Sequence, residues 1–142
     1  VVAHLHTLVS AVHEGDERRA IDAIMTRLRS LVEETGAGII LVSHLRRVDG
    51  NKGHENGIEV SLSHLRGSNS IGQLSDCVIA LERNQQSDDF DESRTTKLRI
   101  LKSRYTGDVG MAARVIYDIE TGRLSELTNE DIEFDNIGEE GF

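Results

Sequence analysis

Proline and tryptophan are absent from this 142-residue chain, cysteine occurs once, and aromatic residues make up only 4%. A lone Cys77 closes no internal disulfide and has no thiolate partner for a metal cluster. It points to a reducing compartment and, within the run CVIALE, to a small core residue. No apolar stretch approaches the roughly 18 residues of a membrane span, and no basic-then-apolar leader opens the chain. A soluble, cytoplasmic protein is therefore expected. Hydrophobic residues still amount to 37%, so one domain with a core of Ile, Leu and Val is expected rather than a disordered chain.

Basic residues are missing from one end. From Glu126 onward lie seven of the 25 acids and none of the 16 Lys and Arg, so residues 1–125 hold 18 acids against 16 bases. The net charge of −9 thus belongs mostly to residues 126–142, which read as a disordered acidic tail. The near-neutral body remains compatible with a polyanionic partner.

Within that body, VVAHLHTLVS reads as a buried strand already under way at residue 1, the look of a cut chain. GDERRAIDAIMTRLRSLVEETG is the clearest helix. Asp16 can cap it, Gly36 can end it, and Ile21, Ile24, Met25, Leu28, Leu31 and Val32 follow the spacing of one buried face. AGIILVSH and CVIALE have the continuous apolar character of interior strands. Between them, SLSHLRGSNSIGQLSD reads as a loop and short helix, and RNQQSDDFDESRTTK reads as a hydrophilic loop. KLRILKSRY and MAARVIYDIETGRL then read as strands joined by tight turns. The order gives an α/β sheet, mainly parallel and flanked by helices, with a more antiparallel C-terminal portion.

In open α/β sheets, ligands gather at the carboxyl ends of strands. Three such ends carry chemistry here: His4 with His6, Ser43 with His44, and Lys102 with Arg104. A strand-end imidazole can donate to a phosphate oxygen, and paired cations can neutralise charge that develops in phosphoryl transfer. Strand alternation would put Lys102 and Arg104 on one side, which suits a solvated edge as well as an anion site. Arg46, Arg47 and Lys52 lie in a polar loop able to follow a phosphate backbone, or simply to sit in water. The H-x-H of His4 and His6 lacks a third ligand, and no metal site is expected. G-x-x-x-x-G-K-[ST] occurs nowhere, so the chain has no phosphate cradle of its own.

Four segments in order, HLHTLVSAVHEGDERRAIDAIMTRLRSL, LVSHLRRVDGNKGHENG, LRGSNSIGQLSDCVIALERNQ and RILKSRYTGDVG with YDIETGRL, resemble the C-terminal helicase domain of bacteriophage primase-helicases of the T-seven type. They are more distantly similar to mitochondrial Twinkle and bacterial DnaB. The resemblance spans residues 1–125 and implies a partial RecA-like core. It assigns His44 to sensing the γ-phosphate, and Arg46, Arg47 and Lys52 to a loop that grips single-stranded DNA. Arg66, Gly67 and Ser68 fall in the LRGS motif at the same DNA-binding region, and Gln73 links nucleotide state to DNA. Arg83 and Tyr117 would sandwich the base, and Arg104, supported by Lys102, would act as an arginine finger toward a neighbouring subunit. The acidic tail, ending in Phe142, would engage the replicative DNA polymerase.

The family further implies Mg²⁺ with ATP or dTTP, a homo-hexameric ring, a primase domain upstream, and a bacterial host cytoplasm if phage-encoded. Two features depart from its pattern. Ala3 stands where the family has a magnesium-linked aspartate, and the phosphate-cradling segment would lie before residue 1, so residues 1–142 alone should not hydrolyse nucleotide. The expected function is therefore a fragment of a replicative helicase that couples nucleotide hydrolysis to movement on single-stranded DNA. A non-catalytic DNA and polymerase interaction module, and a RecA-type recombination ATPase, remain as alternatives.

Overall fold

A computed structural model describes residues 1–10, 16–47 and 53–127. Lys52 and Phe142, with nearly all of the acidic tail, lie outside the described residues. Two units emerge: residues 1–47 with 61–78, and residues 48–60 with 79–142.

The first unit is organised by the long helix. Asp16 accepts hydrogen bonds from the N–H groups of Arg18 and Arg19, starting helix α2 (Glu17–Thr35). Gly36 ends it at φ 68°, a left-handed conformation that costs glycine little, and its N–H returns to the Val32 carbonyl. Ala20, Ile21 and Met25 are buried, and they pack with Leu5 and Val9 of helix α1 (Leu5–Ser10) and Ile71 of helix α3 (Ser70–Leu74). The expected apolar face extends further than the burial does, because Leu31 is exposed. Farther along α2, Arg29 Nη1 donates to both oxygens of Asp76 at 2.9 Å while its Nε donates to Glu33 at 2.8 Å. Those carboxylates, Glu33 foremost, hold the Arg29 guanidinium above its usual range.

Strand β1 (Val2–His4) pairs in parallel with β2 (Ile40–Val42), Ala3 opposite Leu41. The expected long N-terminal strand is thus three residues followed by a helix. The reason is visible in the burial: Leu5 and Val9, one helical turn apart, are both buried while Thr7 between them is exposed, whereas a continued strand would put all three on one face. Likewise β2 is not interior on both faces. Leu41 packs on the core while Ile40 and Val42 are exposed on the other side.

In the second unit, a four-stranded sheet runs in the order β3 (Cys77–Arg83), β4 (Thr95–Ser103), β5 (Gly110–Tyr117), β6 (Leu124–Glu126). The β4–β5 and β5–β6 pairings are antiparallel. The mixed α/β class therefore holds. Within β3, however, alternation buries Ala80 and Glu82 and exposes Ile79 and Leu81. Cys77 shares that outer face and is exposed, so it is not the core residue expected. The supposed loop 83–97 contains a short helix, α4 (Phe90–Arg94), capped by the Asp89 carboxylate, and already enters β4 at Thr95.

Three carboxyl groups titrate below their ordinary values of 3.8 for Asp and 4.5 for Glu: Asp22 chiefly through the Ser68 hydroxyl, Glu92 chiefly through the Ser87 hydroxyl, and Asp118 chiefly through the Thr121 N–H. A depressed folded-state pKa stabilises the fold at pH above the unfolded value, and that stability is lost as pH falls through the folded value. Acid titration of the unfolding midpoint should therefore show a decline starting near pH 4 and continuing below it. Asp22→Asn should flatten the decline, and an unaltered slope in that variant would remove Asp22 from the explanation.

Candidate functional site

Beyond β2 the chain is held by a short antiparallel ladder within the first unit. Leu45 bridges Leu65, flanked by Arg46 N–H to the His64 carbonyl at 2.9 Å and Arg66 N–H to the His44 carbonyl at 3.1 Å. Leu65 packs against the core, so the ladder fixes the polar residues on either side of it. His44, Arg46, Arg47 and Arg66 consequently line one groove of about 560 Å³ together with Leu45. Three guanidinium groups beside an imidazole suit a phosphate-bearing chain.

The remaining LRGS residues shape this groove from beneath. Gly67 has φ 105°, and a Cβ there would collide with Ile21 Cδ1, so both conformation and space require glycine. Ser68 is buried, and its hydroxyl donates to the Asp22 carboxylate of α2. The Ser68 side chain thus faces the protein, whereas Arg66 is exposed and forms an ion pair with Glu17 at 3.4 Å. Gln73 lies exposed on α3.

Behind the groove three imidazoles gather. The His4 and His44 rings are 4.8 Å apart edge to face, His6 and His44 are 5.0 Å apart, and His4 and His6 are 6.4 Å apart. His6 Nδ1 lies 3.7 Å from the same Glu17 carboxylate that meets Arg66. The H-x-H pair thus serves as the packing environment of His44. Among the described residues, no group of three His, Cys, Asp or Glu side chains is arranged to hold a metal ion, and Ala3, beside His4, offers no oxygen donor.

The second unit carries the other predicted residues at strand ends. Arg83 closes β3, and its Nε donates to the Ser93 carbonyl at 2.6 Å. Tyr117 closes β5 and is 37% exposed. Lys102 lies in β4, but the strand ends at Ser103 and Arg104 sits in the turn that follows. Strand alternation therefore does not align the two cations. Arg104 is instead placed by the turn, where Gly107 N–H returns to the Ser103 carbonyl at 3.0 Å and the Ser103 and Thr106 hydroxyls meet at 2.8 Å.

Sequence reading missed the charged pair at the centre of this unit. Glu82, 4% exposed, accepts from the Val60 N–H and from Arg99 Nε, both at 2.8 Å. Arg99 Nη1 also reaches Glu59 at 3.2 Å, and Glu82 above all holds the guanidinium above its usual range.

The mixed α/β architecture, with a parallel β1–β2 pair in one unit and an antiparallel sheet in the other, is of the class found in RecA-like helicase ATPase domains. The DnaB-like helicase C-terminal domain family matches residues 1–126, and the chain belongs to that family. A DNA helicase/primase of Enterobacteria phage T3 is 44% identical over 124 residues, covering 87% of this chain and 21% of its own length. Among solved structures, an ATPase domain superimposes with a TM-score of 0.66 at 26% identity over 83% of this chain and 40% of its own. A DnaB-like replicative helicase, described with its interactions with primase, has the same TM-score at 22% identity over 82% of this chain and 27% of its own, a likeness of fold. The chain thus spans about a fifth of the length of the phage T3 relative. Among the described residues no helix is long and apolar enough to cross a membrane.

Proposed function

We propose that the protein to which this chain belongs couples nucleoside triphosphate hydrolysis to translocation on single-stranded DNA, as a homo-hexameric ring that unwinds DNA for replication. The observation that carries this reading is the groove in which His44 lies beside Arg46, Arg47 and Arg66. A histidine that meets the terminal phosphate is there joined by backbone to arginines that meet DNA, since His44 accepts from the Arg66 N–H. A change at one end is transmitted to the other through a single hydrogen-bonded ladder.

In this reading Arg83 and Tyr117 hold the nucleotide base, a cation and an aromatic face suited to stacking. Lys102 and Arg104 reach the nucleotide of the adjacent subunit, and Lys52 extends the DNA-gripping loop. Gln73 reports nucleotide state to the DNA side, while Gly67 and Ser68 set the backbone from which Arg66 projects. ATP or dTTP is the expected nucleotide. Mg²⁺ would supply charge neutralisation at its phosphates, and Ala3 gives it no carboxylate.

Salt dependence tests the groove. For single strands, each phosphate contact contributes a slope of about −0.7 to log K against log salt. Replacing Arg46 and Arg47 together by alanine should weaken oligo(dT) binding and make that slope shallower by about 1.4. A slope equal to that of the unmodified protein would show that neither arginine meets phosphate.

The acidic C-terminal segment ending in Phe142 is assigned to docking the replicative DNA polymerase. Seven acids without a base give it charge, and the Phe142 ring gives it an apolar anchor. Deleting Phe142 should weaken polymerase binding and leave nucleotide hydrolysis unchanged; undiminished polymerase binding would make the segment a solubilising tail. Ala3 is the one observation that favours a second reading, a DNA and polymerase adaptor without motor activity.

A further inference from the structure

Glu82 and Arg99 take no part in the nucleotide or DNA contacts assigned above, yet both are largely withdrawn from water, their side chains 3% and 18% exposed. Enclosing two charges is costly, and a pair of apolar residues would hold a strand junction at least as well. Their placement supplies a reason for charge. A single atom, Glu82 Oε1, accepts from two donors on different segments, the Val60 N–H and Arg99 Nε, each at 2.8 Å.

Val60 ends the segment 53–60, which follows Arg46 and Arg47 in the sequence. That segment is fastened to the end of β3 by three further contacts. Gln85 N–H donates to the Glu55 carbonyl at 2.9 Å, Asn56 bridges Asn84, and Gly57 lies so close that an added Cβ would stand 2.9 Å from Asn84 Cβ. Arg99 belongs to β4, three residues before Lys102 and five before Arg104. The β4–β5 register shifts between Leu98 and Arg99, an irregularity of the kind that re-aims a side chain out of the regular pleat.

We propose that Glu82 and Arg99 are positioning residues that transmit the DNA-bound state of the loop to the strand carrying Lys102 and Arg104. Displacement of segment 53–60 moves the Val60 N–H. The carboxylate that accepts from it follows, and the guanidinium docked on that carboxylate shifts β4 at its bulge. Charge-assisted bonds suit this task because they are short and directional, and a shared oxygen makes the two donors interdependent. The inference rests on the helicase reading and adds to it the route by which DNA binding stimulates hydrolysis.

The test measures nucleotide hydrolysis by the full-length protein with and without oligo(dT), and oligo(dT) affinity in parallel. Arg99→Lys keeps the charge but loses the forked geometry. The double replacement Glu82→Met with Arg99→Met removes the charges while retaining bulk, which keeps the experiment decisive if the lysine variant does not fold. Both variants should reduce the stimulation by DNA about tenfold while hydrolysis without DNA and oligo(dT) affinity stay within about twofold. Stimulation equal to that of the unmodified protein overturns the proposal. Proportional loss of both hydrolysis rates also overturns it, since a merely structural link would behave so. If the unmodified protein shows no stimulation by DNA, the helicase reading fails and takes this inference with it.

Discussion

Replacing Arg104 with alanine in the full-length protein should lower DNA-stimulated hydrolysis by about 10³-fold or more, the scale on which arginine fingers act, while nucleotide binding persists. The expectation follows from where the residue lies. Arg104 is exposed in the turn after β4, a turn held by the Ser103–Thr106 hydroxyl contact and the Gly107 N–H to the Ser103 carbonyl. In the proposed role the guanidinium would add charge to a transition state on another subunit and contribute little to the ground state of its own. Rate and affinity should therefore separate. Equal loss of hydrolysis and nucleotide binding would mean that Arg104 supports its own fold or site instead.

Arg99→Ala should produce the largest loss of stability among single substitutions at the described charged residues of the second unit, roughly 3–5 kcal/mol, because it leaves a carboxylate inside the protein without its cation. Glu82 would retain the Val60 N–H but lose the guanidinium that shares the same oxygen. Glu59, the other partner of Arg99, is 71% exposed, so Glu59→Ala should cost no more than about 1 kcal/mol. Chemical denaturation of the full-length protein and its two variants, followed by a probe in the helicase domain, measures both. Comparable losses would show that burial of Glu82 is not what makes Arg99 necessary.

How much of this was legible beforehand depends on the range of the interaction. Helix α2 was legible almost residue for residue, because Asp16, Gly36 and the spacing of Ile21 and Met25 act within a few turns of chain. The placement of His44 just beyond β2 could be read from an apolar run that stops abruptly, whereas Arg83 and Tyr117 were singled out by the family resemblance alone. The burial of Glu82 could not be read, since it closes a run, CVIAL, that is apolar at every position, and only pairing in the sheet decides that Ile79 and Leu81 face outward. Arg99 meets Glu82 across 17 residues of sequence, and its aim depends on a bulge that no local pattern announces. Arg104 shows the same limit: period two was sound within β4, but the strand ended one residue too soon for it to apply.

Family membership fixes the kind of domain, and the groove around His44 gives it a surface whose arginines suit phosphates. Whether the whole protein is a motor is decided by one experiment, a fork-unwinding assay on the full-length protein with single-stranded DNA-stimulated nucleotide hydrolysis recorded in the same samples. Hydrolysis that rises with DNA and accompanies strand separation is the expected result. DNA binding without hydrolysis or unwinding would contradict it and would establish the adaptor reading that Ala3 suggests.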